Sequence, residues 1–152
     1  MGEVGPTYQP GHAHADTFSF QMHINNRPVI IDTGTSTYEV NETRFYERST
    51  RAHNTVTIGN ENSSQVWAGH RVAKRASVEL LKDDTNCIVA RHDGYKKKFG
   101  VYHTREIVVD ENGVTIMDDL EGQTGVAHFH FAPREFLLDG NQLRGDDFRI
   151  VF

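Results

Sequence analysis

The chain reads as an all-β domain, an antiparallel β-sandwich with few or no helices. Three observations predict it. Short runs that alternate apolar and polar residues recur along most of the 152 residues, and a period of two marks a half-buried strand. The runs are separated by turn-forming clusters such as Asn25-Asn26, Asp110-Glu111-Asn112-Gly113 and Asp139-Gly140-Asn141. In the second half the strands follow one another at the short, even spacing of a sandwich.

The elements follow in order. Residues 17–24 place Phe18, Phe20, Met22 and Ile24 on one face of a strand. Asn25-Asn26 tolerates positive φ and makes a hairpin turn, and residues 28–32 return as the partner strand. Residues 33–52 are polar and without a clean period. They predict a long loop with one helical turn near residues 42–47, and loops beyond about 12–15 residues in a compact domain are often functional. Residues 54–58 form a strand, 61–64 a turn, and 66–72 an irregular segment with the chain's single Trp. Then come strands over residues 76–82, 87–92, 104–109, 114–120, 126–132 and 135–138. Asn112-Gly113 is the strongest hairpin signal among their turns.

Composition limits the function classes. At this length the chain is one domain, residues 1–152, able to bury a sizeable core. Its 37% hydrophobic and 10% aromatic content argues against disorder. A net charge of −5 gives no global attraction to nucleic acid, so an anionic partner needs a local basic patch. Cys87 is alone and forms no internal disulfide. No leader peptide is readable at the start, and no apolar run approaches the ~20 residues of a membrane-spanning helix.

The chemistry concentrates near the start. In Pro10-Gly11-His12-Ala13-His14-Ala15-Asp16, an extended backbone points His12 and His14 to one face. Asp32 follows in Ile31-Asp32-Thr33-Gly34, and the hairpin return brings it toward His14. His53 follows in Ala52-His53-Asn54-Thr55. Two histidines and a carboxylate from separate segments suit a zinc-type divalent metal with an open position. They equally suit polar side chains at a sandwich rim, and the residues alone leave both readings open. Tyr38, Arg44, Arg48 and Arg51 lie in the long loop, where guanidinium groups match carboxylate or sulfate oxygens. His103-Thr104-Arg105 sets two basic groups on one strand face, read mainly as partly exposed. His128-Phe129-His130 and Lys96-Lys97-Lys98 read as structural, and Cys87 as core.

Four blocks carry a resemblance. They are Gly5-Pro6 with residues 8–16, residues 31–39, residues 48–56, and Val66-Trp67-Ala68-Gly69-His70-Arg71-Val72. In this order they resemble the opening of the β-domain of heparinase II/III-like polysaccharide lyases, closely over residues 4–76. His70 stands where members of that family carry Phe.

The resemblance implies a lyase supersandwich-type β-domain, cut from a longer parent whose N-terminal α/α toroid is absent here. It implies cleavage of an acidic, uronic-acid-containing glycan by β-elimination: a glycosaminoglycan, alginate or a bacterial exopolysaccharide. It places a zinc ion on His14, Asp32 and His53 and makes His12 the catalytic histidine. Histidine suits proton transfer because it titrates near neutral pH. Tyr38, Arg44, Arg48, Asn54 and Arg105 are the expected glycan contacts, and Asp16 the carboxylate expected to orient a histidine. The parent is expected in the periplasm or outside the cell, its leader lying upstream. The alternatives are a non-catalytic carbohydrate-binding or structural β-module, and a small metal-dependent hydrolase. No nucleic-acid partner or membrane insertion is expected.

Overall fold

The computed structural model describes residues 4–6, 8, 10–146 and 148–152; Gln9 of the opening motif lies outside them. The domain is all-β, built from antiparallel strand pairs with two short helices. A hairpin pairs β1 (Met22–Ile24) with β2 (Arg27–Ile30) across Asn25 and Asn26, both at positive φ. That is the backbone the two asparagines predict. The long loop follows, with α1 (Glu42–Glu47) inside it. The Asn41 side chain caps α1 by accepting the Arg44 N–H at 2.9 Å. The next short strands are β3 (Val56–Thr57), β4 (Val66–Trp67) and β5 (Arg71–Val72), the last two forming a hairpin.

The frame is a four-stranded meander: β6 (Val78–Asp84), β7 (Cys87–His92), β8 (His103–Asp110) and β9 (Gly113–Asp119). Helix α2 (Lys96–Phe99) bridges β7 and β8. Beyond it come β10 (Val126–Ala127), paired with β3, and a small sheet of β11 (Leu137–Asp139), β12 (Gln142–Arg144) and β13 (Arg149–Val151). A core of Val56, Ile58, Tyr95, Val101 and Leu120 closes with Phe99 of α2 against it. The Tyr95 hydroxyl donates to the Val56 carbonyl at 2.7 Å. Gly94 starts the turn there. A Cβ on it would run into the Ser63 carbonyl oxygen, so only glycine lets the two segments meet.

Three sequence expectations are corrected. Residues 17–21 are not strand. The Ser19 N–H donates to the Asp16 carbonyl at 2.8 Å, and Phe18 takes φ 69°, which breaks the extended path. Residues 10–12 form a 3-10 turn rather than extended chain, so His12 and His14 are not related by strand alternation. Of residues 126–132 only β10 is strand; farther on, the His130 carbonyl and the Ala132 N–H bond the backbone of Ile31 and Val29.

His103 and Arg105, read as partly exposed, are buried, at 0% and 2% exposure. The reason is cross-strand partners. Register sets His92 opposite His103 and Arg105 opposite Asp118. The Gly94 N–H donates to His92 Nδ1 at 3.1 Å. His92 Nε2–H therefore donates to His103 Nδ1 at 3.0 Å, and His103 Nε2–H to Asp118 Oδ1 at 2.7 Å. A backbone donor at one end and a carboxylate at the other fix both tautomers. Arg105 meets Asp118 through Nε at 2.7 Å and Nη2 at 2.8 Å. Despite desolvation, the bonds from His103 and Arg105 hold the Asp118 carboxyl at about 2. Burial, then the neighbouring His103 and Arg105, lower His92 from 6.5 to about 3.

The sign of the pH effect follows. The unfolded chain takes up a proton on residue 92 below pH 6.5, and the folded chain takes it up only near pH 3. The stability from neutral His92 is full above pH 6.5 and is lost as pH falls toward 3. The slope approaches about 1.4 kcal/mol per pH unit. Melting temperatures measured between pH 7 and pH 4 should fall steadily; a flat profile would exclude a neutral buried His92.

Candidate functional site

Polar residues from four segments of the first sixty positions converge on an open pocket of about 460 Å³. It is lined by His12, His14, Asp16, Asp32, Thr35 and His53, together with Phe20 and its neighbours. Each side chain arrives for a local reason. The 3-10 turn at Pro10–His12 leaves His12 exposed at the mouth. The Ala15 N–H then bonds the Arg48 carbonyl at 2.9 Å, which draws His14 inward. The 3-10 turn Thr50–Ala52 ends at His53, with 1% of its surface exposed. Asp32 follows β2, and its Oδ1 accepts the Gly34 N–H at 2.8 Å.

Donor and acceptor chemistry orders the floor of the pocket. Asp32 Oδ2 only accepts, so His53 Nδ1–H donates to it at 2.8 Å. His53 Nε2 is then a lone pair, and His14 Nδ1–H donates to it at 3.2 Å. His14 Nε2 in turn accepts from the Thr35 hydroxyl at 3.1 Å and faces Arg44 Nη1 at 3.4 Å. The result is a directed relay from Arg44 to Asp32 through two neutral imidazoles. Burial first, then His53, Arg44 and Arg48, lower His14 to about 4. The hydrogen bond from His53 lowers Asp32. Desolvation raises Asp16, whose carboxyl is set back in the pocket wall although the residue is exposed overall.

A second cluster stands at the mouth. The Tyr38 hydroxyl and His12 Nδ1 share a hydrogen bond at 3.0 Å, and the Arg44 guanidinium lies 5.0 Å from the Tyr38 ring centroid. His12 and Tyr38 are exposed, so these groups face solvent.

The geometry of a zinc ion can be tested against the floor. Tetrahedral zinc at Zn–N of about 2.0–2.1 Å puts two ligand nitrogens about 3.3–3.4 Å apart. His14 Nδ1 and His53 Nε2 face each other at 3.2 Å and fit that edge. Asp32 does not fit as placed, because it bonds the opposite nitrogen of His53. Among the described residues no three His, Cys, Asp or Glu side chains converge as a metal shell.

The other expected contacts lie inside the domain. Arg44 and Arg48 are buried, at 0% and 1% exposure. Arg44 donates to the carbonyls of Gly11 at 2.7 Å and Gly69 at 3.1 Å. Arg48 donates to the carbonyls of Ala13, Trp67 and Arg71. Arg105 Nη1 donates to the carbonyls of Phe18 and Asn54. The Asn54 side chain joins three segments: it donates to the carbonyls of Phe20 and Ile31, each at 2.8 Å, and accepts the His130 N–H at 2.7 Å. These side chains position the pocket from behind, as the sequence reading did not foresee. Thr35 was missed because a lone loop threonine carries no signal.

Asn54→Ala leaves three part-buried backbone groups without this partner. At about 1 kcal/mol or more each, the loss should be about 3 kcal/mol. Chemical denaturation should show it, and a loss under 1 kcal/mol would deny Asn54 that role.

Two curated relatives are each named heparin-sulfate lyase. One, from Bacteroides stercoris, is 29% identical over 127 residues, covering 79% of this chain and 18% of its own length. The other, from Bacteroides thetaiotaomicron, is 28% identical over 113 residues, covering 66% of this chain and 15% of its own length. The chain thus spans less than a fifth of these relatives. No solved structure gives a significant match. The family model described as "Heparinase II/III-like, C-terminal" matches residues 1–148, and the chain belongs to that family.

Proposed function

We propose that this chain is the β-domain of a longer polysaccharide lyase that cleaves an acidic glycan by β-elimination, with a zinc ion in its pocket. The observation that carries the reading is an exposed histidine at the mouth of an open pocket, above a buried relay of neutral imidazoles, in a chain of this family. In β-elimination a base removes the C5 proton beside the uronate carboxylate. The C4–O4 bond breaks, a C4=C5 double bond forms, and the leaving O4 takes a proton. His12 is the proton-transfer residue. The Tyr38 hydroxyl on Nδ1 fixes the ring and leaves Nε2 for the substrate. The rest of the parent, an α/α toroid, supplies the opposite wall and the group that neutralises the carboxylate. Heparan sulfate is the first substrate to try, given the names of the two relatives.

The zinc site rests on His14 and His53. Asp32 joins them only by releasing His53 Nδ1. When bound, zinc would supply a fixed positive charge at these residues. His14 Nδ1 would have to give up the proton it donates to His53, because a metal ligand must be deprotonated at the binding nitrogen; in neutral His14 that proton can move to Nε2, where the Thr35 hydroxyl can accept it. Elemental analysis of protein purified without chelator should give about one zinc per chain, and His14→Ala and His53→Ala should each lose it. Chelation should lower the melting temperature of the parent sequence. Equal metal content in the two variants would refute the assignment.

In the full-length parent, His12→Ala should lower turnover about 10²-fold or more while metal content holds. Residues 1–152 alone should give no unsaturated product from heparan sulfate or alginate, read by ultraviolet absorbance. Neutralising developing charge is usually the largest catalytic contribution, and the group that does so lies outside this chain. Strong elimination by residues 1–152 would overturn the two-domain account.

A further inference from the structure

A second concavity of about 420 Å³ is lined by Asn62, Gln65, Val66, Trp67 and Ala73. Its outstanding feature is an exposed aromatic. Trp67 shows 49% of its surface, and the Arg71 guanidinium lies 4.9 Å from its ring centroid. Among the described residues no carboxylate pairs with Arg71, although the exposed ion pairs elsewhere in the domain are formed by such long cations. An indole face is electron-rich and takes both cations and the C–H edges of a sugar ring. The guanidinium adds a fork for carboxylate or sulfate oxygens.

The hairpin that bears this pair is held rigidly. Trp67 and Arg71 face each other across it. Its tip runs through Ala68 at φ 47° and Gly69 at φ 71°. A non-glycine residue held at such φ persists only where its surroundings fix it. Two buried guanidinium groups supply that fixing. Arg48 binds the Trp67 and Arg71 carbonyls and also the carbonyl of Ala13, between His12 and His14. Arg44 binds the Gly69 carbonyl and also that of Gly11. The hairpin and the histidine segment are thus hung on the same two cations.

We propose that Trp67 and Arg71 form a subsite for an anionic sugar, one that continues the glycan path outward from the His12 pocket. The ring stacks on the indole, and its carboxylate or sulfate meets Arg71. The proposal rests on the acidic-glycan reading above but is tested apart from it.

Trp67 is the only tryptophan of the chain, so its emission reports on this place alone. Residues 1–152 are titrated with a size-defined heparan sulfate hexasaccharide, followed by tryptophan emission, acrylamide quenching and calorimetry. The expected result is a saturable change in emission, lower access for acrylamide, and weakening by added salt. A neutral cello-oligosaccharide of the same length should produce none of these. Arg71→Gln should weaken binding about tenfold, and Trp67→Ala should do likewise by calorimetry. Trp67→Phe should keep most of the affinity, which separates lost stacking from lost folding. Calorimetric binding with unchanged Trp67 emission would overturn the subsite, as would no binding at all, or parental affinity in Arg71→Gln. Elimination by the full-length parent is assayed separately. A parent that eliminates while Trp67 stays silent overturns the subsite alone. A Trp67 response in a parent without elimination keeps the subsite and overturns the lyase reading.

Discussion

The pocket depends on one buried guanidinium. Arg105 gives two donors to Asp118 and one nitrogen to the carbonyls of Phe18 and Asn54. Burying a cation is costly unless a carboxylate and further acceptors replace the lost water. Asp118 and the two carbonyls do so here. The strong four-stranded sheet thereby grips two weakly structured segments. One runs from Asp16 to Phe20 and the other passes through His53 and Asn54, and both line the pocket. Neither has much regular structure of its own. The sheet supplies by side chain the order that strand pairing would otherwise supply.

The domain uses one arrangement twice, with different outcomes. His14–His53–Asp32 and His92–His103–Asp118 are each two imidazoles ending on a carboxylate. In the second the carboxylate is saturated by Arg105 and the far nitrogen by the Gly94 N–H, so the relay is sealed. In the first the far nitrogen meets a hydroxyl and Asp32 stands at the pocket wall. Thr35 can donate or accept, so His14 Nε2 keeps a partner if His14 changes tautomer, while Nδ1 then gives up its bond to His53. The sealed copy stabilises the sheet, while the open copy retains chemical freedom.

Much of this was legible in the sequence for physical reasons. Asn25-Asn26 and residues 110–113 announce their turns because positive φ has few tolerant residues. Helix α1 was legible within the loop, at the residues it occupies. The motifs around His14, Asp32 and His53 delivered side chains that do meet, and His12 lines the same pocket. The interior arginines were not legible. A polar loop rich in Arg reads as solvated, yet Arg44 and Arg48 are buried because loops leave carbonyls that need donors. The strand over residues 17–21 failed for a related reason. Alternation predicts a face, but the Phe18 ring turns in to contact His92 and His103 instead. Asp118 gave no sign because its meaning lies across two strands.

Strand β6 bears on how the domain lives among other chains. Among the described residues it pairs only with β7, so its far side is an unpaired edge of the main sheet. Exposed Leu80 and Leu81 on such an edge invite a second polypeptide to add itself. The register shift between Leu80 and Lys82 interrupts the row of backbone groups, and Lys82, Asp83 and Asp84 crowd the end with charge. Irregularity and charge are the usual guards against edge-to-edge association. A small β module at high local concentration thus carries its own resistance to fibre formation, written into one misregistered strand.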